Sequence, residues 1–147
     1  MKSVVISKPG GPEVLEVKDL NLDEPKNDEV TIQNHAIGLN YIDTYHRSGL
    51  YPVPLPSGIG LEAAGKITKV GSDVKDFKVG DKVAYCAAPL GAYASHRNYP
   101  TKNLIKVPNG VDLETAATLM TKGITTFYLL HKTYPAQSGE TVLFHAA

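Results

Sequence analysis

Glu62 sits in GIGLEAAG, a carboxylate framed by Gly58, Gly60 and Gly65 and followed by an apolar run. A charge in such a setting needs either a partner or a site. Anchoring a neighbouring cation or backbone N–H groups fits it better than acid–base work. Upstream, Asn40 precedes YIDTYHRS, where its side chain can accept the first free helical N–H groups. Tyr45 lies on that short helix and Tyr51 just past its end, so both hydroxyls can point into one cleft. A phenol, which ionises near pH ~10 in its reference state, suits proton donation better than acceptance. Thr125 opens a late helix whose first N–H groups are free, and Lys122, just before Gly123, stands near the same edge. Asp43 and Arg47 are four apart on one helix face and are expected to form an ion pair. His35, His46, His96, His131 and His145 show no short paired spacing, so ordinary surface or core roles are expected of them. A catalytic zinc needs three protein ligands in tetrahedral arrangement, and this pattern does not offer them.

The elements that carry these residues follow from periodicity and punctuation. Lys2–Ile6 and Leu15–Leu20 read as a hairpin around the Pro9–Pro12 turn. Asn21–Asp28 is polar and turn-rich. Glu29–Leu39 alternates as a half-buried strand with a polar residue, Asn34, on its inner face. Asn34 and His35 are expected to be ordinary strand residues. Gly49 stops the YIDTYHRS helix, and Pro52, Pro54 and Pro56 force an extended run that cannot donate regular ladder bonds. Ile67 and Lys69 lie on a strand that turns at Gly71-Ser72-Asp73, and Gly80-Asp81 turns into Lys82–Tyr85. Ala92–Asn98 and Leu104–Val107 are further strands. Asp112 then caps a helix through LETAATLM, with Glu114 favoured in its first turn by the helix dipole. Gly123 separates this helix from a second, ITTFYLLHKTY, which Pro135 and Gly139 close. Thr141–His145 reads as a buried strand of the parallel-sheet kind.

So many short strands before residue 108 imply a small, partly closed β-barrel. Helix followed by strand implies the start of an α/β unit. The class is therefore mainly β with an α/β start. An apolar strand with nothing after it to cover it leads to the expectation that these residues are the front portion of a longer protein.

Bulk properties narrow the function classes. At 147 residues, with 42% hydrophobic and 20% charged residues, the composition is that of a soluble globular protein. Fifteen basic and fifteen acidic residues balance, so no global field steers nucleic acid or an anionic membrane toward the chain. The lysines of Lys66–Lys82 alternate with Asp73, Asp76 and Asp81, a solvated face rather than a basic stripe. Cys86 is the single cysteine, which excludes an internal disulfide and fits a reducing compartment. No apolar run approaches the ~18 residues of a membrane span, so a cytoplasmic location is expected.

GGPEVLEV, AIGLNYIDTYHRSGLY, LPSGIGLEAAG, the spaced Gly71 and Gly80 with Asp81 and Val83, and LMTKGITTFYLL occur in that order. Together they resemble the medium-chain dehydrogenase/reductase superfamily, and within it the zeta-crystallin-like quinone oxidoreductases. The resemblance implies a GroES-like, partly open barrel over residues 1–123. Residues 124–147 would be the first helix and strand of a truncated Rossmann domain. It also implies that the barrel recovers strands from a far C-terminus. Zinc members of the superfamily carry a thiolate where Asn40 stands and an imidazole where Leu61 stands; Glu62 and the carboxylate of Asp43 match. The resemblance thus implies no zinc, NADPH as cofactor, and Asn40 hydrogen-bonding the nicotinamide ribose. Tyr45 and Tyr51 would line the substrate side, and Thr125, with Lys122 nearby, would contact the nicotinamide carboxamide. Without a metal to polarise a carbonyl, a conjugated acceptor such as a quinone, which delocalises the developing charge itself, is the expected substrate. An enoyl or alkenal reductase and a non-enzymatic binding module are the alternatives, and a homodimer would form through the later domain.

Overall fold

A computed structural model describes residues 1–145. Among these described residues, eight strands form two antiparallel sheets: β1 (Lys2–Ile6), β2 (Glu16–Asp19), β3 (Glu29–Gly38), β4 (Ser57–Gly58), β5 (Glu62–Val70), β6 (Lys82–Tyr85), β7 (His96–Pro100) and β8 (Ile105–Lys106). The smaller sheet has the order β2-β1-β4, the larger β7-β3-β5-β6-β8. The first hairpin pairs Lys2 with Asp19 and Val5 with Glu16, as the flanking apolar runs require. A bridge between Ser3 and Ala94 and the Val4 N–H to Tyr93 carbonyl bond join the sheets into a partly open barrel.

Successive residues of β5 serve two cores. Ala63 packs with Val30, Ile32, Ile67, Tyr85 and Tyr99 inside the barrel. Ala64 points the other way, where Ala84 meets Leu113, Ala116 and Ala117 of α2 (Leu113–Phe127). Period-two alternation with both faces covered explains why this strand carries small apolar residues rather than alternating polarity.

The helix α1 (Tyr41–Ser48) spans the expected residues. Gly49 ends it with φ 84°, the left-handed conformation that glycine adopts without Cβ strain. Asp112 caps α2 by accepting the Thr115 N–H at 2.6 Å. Glu114 in its first turn bonds His35 on β3 at 2.8 Å, a surface tie between helix and barrel.

Two expectations change. Gly123 does not divide two helices: α2 runs through it to Phe127 and continues as a π-helical turn over Tyr128–Thr133. One glycine costs a helix interior only ~1 kcal/mol, too little to end a helix whose preceding turns are packed against a sheet. Thr141–Phe144 forms no regular secondary structure and His145 lies in a bend; among the described residues the stretch pairs with no strand. Leu143 is 79% exposed. A buried parallel-type strand is stable only between hydrogen-bonded neighbours, and none is described beside it. The shorter strands also moved: β7 begins at His96 rather than Ala92, and β8 holds only Ile105 and Lys106.

Candidate functional site

Where β3 ends and β5 begins, Gly38 and Glu62 are paired in register. Glu62 is fully buried. Its Oε2 accepts from Asn40 Nδ2 at 2.7 Å and its Oε1 accepts from the Thr121 N–H of α2 at 2.6 Å. Lys122 Nζ stands 3.8 Å from the same Oε2. That ammonium also donates to Asn40 Oδ1 at 3.1 Å and to the Leu39 carbonyl at 3.2 Å. Glu62 is therefore an anchor for N–H groups and one cation, as its glycine frame suggested. Gly38 makes room for it. A Cβ there would meet both Glu62 Oε2 and the Ala117 carbonyl oxygen of α2.

Asn40 does stand at the N-cap of α1. It and Asp43 occupy the reciprocal positions of a capping box. The hydrogen bond that closes runs from the Asn40 N–H to Asp43 Oδ2, 3.1 Å. The Asn40 amide itself is turned to Glu62 and Lys122, leaving one Nδ2 hydrogen and one Oδ1 lone pair unspent.

Asp43 corrects the sequence reading. It is buried and forms no ion pair with Arg47; its Oδ2 accepts the Tyr93 hydroxyl at 2.8 Å. Arg47 instead donates through Nε to the Gly10 carbonyl at 3.2 Å. Asp43 is buried on the side of the helix turn that meets Tyr93, while the half-buried Arg47 points to the Gly10 carbonyl, so the carboxylate pairs with the phenol rather than with the guanidinium. Burial, and then the adjacent Asp43 carboxylate, push the Tyr93 phenol far above its ordinary value.

Tyr45 and Tyr51 come together. Their ring centroids are 5.3 Å apart at 61°, and the Tyr51 N–H bonds the Tyr45 carbonyl at 3.1 Å. Tyr41 extends the cluster edge-to-face at 5.4 Å. Five residues of helix separate Tyr45 from Asn40, about 7.5 Å along the axis. Thr125 is exposed in the last turn of α2, not at a helix start, so its N–H is not one of the four free groups of a helix N-terminus. It follows Lys122 by three residues, on the same face.

Three features escaped the sequence. Cys86, distant from Glu62 in the chain, lies close to it in space: burial first, and the Glu62 charge second, push its thiol up, while the Thr121 hydroxyl opposes them. That is the environment of an inert thiol rather than a nucleophile. Arg97, on β7, is 6% exposed. Its guanidinium lies over the rings of Tyr85 and Tyr99, with Nη2 on the Pro89 and Leu90 carbonyls. Asn34 is not an ordinary strand residue either: it donates to the Ala92 and Ala94 carbonyls and accepts the Tyr85 hydroxyl, which satisfies the polar inner-face position. A carboxamide on an inward alternation was the available signal. An open apolar groove of about 410 Å³ borders Val17, Ile37, Leu39 and Tyr93, but neither Asn40 nor Glu62 lines it. Among the described residues, no helix is long and apolar enough to cross a membrane.

Residues 26–109 match the family described as "Alcohol dehydrogenase GroES-like domain". A curated quinone oxidoreductase of Pseudomonas aeruginosa is 54% identical over 147 residues, covering 99% of this chain and 45% of that protein. A 2-haloacrylate reductase of a Burkholderia species is 45% identical over 99% of this chain and likewise 45% of its own length. The solved Escherichia coli quinone oxidoreductase, complexed with NADPH, superposes with a TM-score of 0.89 at 47% identity, covering 91% of this chain and 41% of that one. The chain thus spans under half the length of the relatives it matches.

Proposed function

The chain belongs to the alcohol dehydrogenase GroES-like family, and on that premise we propose that it is the substrate-side part of an NADPH-dependent, zinc-free quinone oxidoreductase. Residues 1–123 would form the substrate domain and residues 124–147 would open the cofactor domain. The observation that carries the zinc-free reading is the donor chemistry at Asn40 and Glu62. Where a zinc relative would need ligands, an amide offers its N–H to a carboxylate. Both oxygens of that carboxylate accept from N–H groups. A closed N–H···O network of this kind suits an uncharged hydroxyl ligand, not a dication.

The same network fits the cofactor. Asn40 retains one donor and one acceptor, the complement of a ribose hydroxyl. NADPH, when bound, supplies the hydride. This chain's residues bind and orient: Asn40 holds the nicotinamide ribose, and Thr125, on the Lys122 face of α2, reaches the carboxamide. Lys122 holds Asn40 and neutralises Glu62, since its ammonium is already engaged by both. Tyr45 and Tyr51 orient a flat acceptor and donate a proton to its oxygen. A quinone or related conjugated carbonyl is the fitting substrate, since the site contributes positioning and proton donation alone. The protein would act in the cytoplasm, as a homodimer through the later domain. A second reading, reduction of a conjugated enoyl or alkenal acceptor, is favoured by the 45% identity to a 2-haloacrylate reductase.

Turnover by the full-length polypeptide that carries this chain, with NADPH and NADH against a quinone, an enoyl acceptor and a plain ketone, tests these readings. Quinone reduction preferring NADPH and indifferent to chelators is expected. Zinc-dependent ketone reduction would overturn the proposal, and a preference for the enoyl acceptor would select the second reading.

A further inference from the structure

Glu62 is a fully buried charge that touches no proposed substrate position. Among the described residues, the groups hydrogen-bonded or ion-paired to its oxygens are all donors: the Asn40 amide, the Thr121 N–H and, farther off, the Lys122 ammonium. Asn40 in turn lies between a carboxylate, which can only accept, and an ammonium, which can only donate. Only one of its two amide orientations satisfies both. Turning the amide by a half-rotation would set carbonyl oxygen against carboxylate at the 2.7 Å contact and NH2 against ammonium at the 3.1 Å contact.

We propose that Glu62, with Lys122 as its counter-charge, is a positioning residue that locks the Asn40 amide in a single orientation and thereby sets which atom it offers to the ribose hydroxyl. The inference rests on the reading of Asn40 as the ribose contact. It adds a mechanical consequence. Because Oε1 takes the Thr121 N–H, the same carboxylate also sets the height of α2 over the barrel. It therefore couples Asn40, on the barrel, to the helix that carries Lys122 and Thr125.

Glu62→Gln is the diagnostic change. It preserves volume but replaces two acceptors by one acceptor and one donor, so one of the two N–H partners must be lost. If the new NH2 turns toward Asn40, the Asn40 amide flips and gives up Lys122. In the full-length protein the NADPH dissociation constant, read from cofactor fluorescence, is expected to rise about tenfold, the equivalent of one hydrogen bond to a charged group. Asn40→Ala should weaken NADPH comparably. The double variant should be no weaker than Asn40→Ala alone, within about twofold, because the two residues act as one unit. Lys122→Met, which leaves the carboxylate in place, should fall between wild type and Glu62→Gln.

A spectroscopic arm needs no cofactor. In the 147-residue protein the Asn40 side-chain amide should show two widely separated proton resonances, one shifted downfield by the carboxylate, and Glu62→Gln should collapse that separation. Multiplying effects in the double variant, or an Asn40 amide signal indifferent to Glu62→Gln, would overturn the inference while sparing the proposed function. Asn40→Ala without effect on NADPH would overturn both. Thermal melts of each variant separate these outcomes from unfolding, and Lys122→Met still decides the matter if Glu62→Gln fails to fold.

Discussion

Alanine at position 38 tests how tightly the barrel and α2 close on Glu62. The backbone at Gly38 is outside the left-handed region, so the substitution carries no dihedral penalty and its cost is steric. The new Cβ would lie 2.5 Å from the Ala117 carbonyl oxygen and closer still to Glu62 Oε2. Neither neighbour is the free end of a flexible side chain: one is helix backbone, the other a carboxylate held by Asn40 and Thr121. Relief requires lifting α2 or turning the carboxylate away from its partners. Overpacking costs about 1–3 kcal/mol. Losing one hydrogen bond to a buried charge costs about 1–3 kcal/mol more. The stiffer unfolded chain returns about 0.4–1 kcal/mol. The net loss is roughly 1–6 kcal/mol, which for a chain of this size lowers the melting midpoint by roughly 2–24 °C. Gly123 supplies the internal control. Its would-be Cβ meets nothing nearer than Leu119 Cβ at 3.7 Å, inside a continuous helix. Gly123→Ala should therefore stabilise by about 0.5–1 kcal/mol. Thermal and urea unfolding followed by far-ultraviolet circular dichroism measure both. A Gly38→Ala protein that melts with wild type, or a Gly123→Ala protein that melts below it, would refute the packing argument.

Arg97→Lys should lose about 2–3 kcal/mol in urea unfolding, since an ammonium can neither lie flat over two rings nor hold the Pro89 and Leu90 carbonyls together; an unchanged midpoint would count against this. Alkali should destabilise the barrel, because burial raises the phenols of Tyr85, Tyr93 and Tyr99 in the folded state. Their contribution is whole below about pH 10, where the unfolded chain keeps its phenolic protons, and is lost as pH rises toward the folded values. The slope is up to ~1.4 kcal/mol per pH unit for each tyrosine. Tyr93→Phe removes the whole Tyr93 contribution, due first to burial and then to Asp43, so urea midpoints measured on either side of pH ~10 should fall less steeply than in wild type. Asp112→Ala should reduce the helical signal at neutral pH. The Thr115 N–H holds the Asp112 carboxyl below the usual carboxylate range, so its contribution is present above that range and lost as pH falls through the depressed value. The difference from wild type should accordingly vanish in acid.

What could be read in advance was local. Asn40 and Gly49 bound a helix through chemistry that acts within one turn, and both ends of α1 fall where those residues put them. The first hairpin follows from two apolar runs and a proline turn. Glu62 announced itself as a buried charge in need of donors, but sequence spacing could not say that Thr121 and Lys122, on a helix far along the chain, would supply them. Arg97 and Cys86 were missed for the same reason: their surroundings are assembled by strand pairing, not by neighbours in the chain. Asp43 and Arg47 failed to pair because the i,i+4 rule describes an isolated helix, and α1 is not isolated. Gly123 misled because a propensity of about 1 kcal/mol is weak against tertiary packing. Thr141–His145, expected as a strand from its apolar run, pairs with no strand among the described residues, because an apolar run alone does not supply a hydrogen-bonded neighbour.

The stacked pair Tyr85 and Tyr99, with ring centroids 4.3 Å apart at 29°, lies at the heart of the barrel and beneath a guanidinium. The chain holds no tryptophan. Its ultraviolet emission therefore comes from phenol rings alone, with no indole to drain or mask it. Coupled chromophores in a fixed chiral geometry should give this barrel a near-ultraviolet dichroic band of its own, distinct from that of the Tyr41–Tyr45–Tyr51 group, whose outer two rings are exposed. The molecule thus carries a built-in optical gauge of whether its interior is assembled, readable without a label.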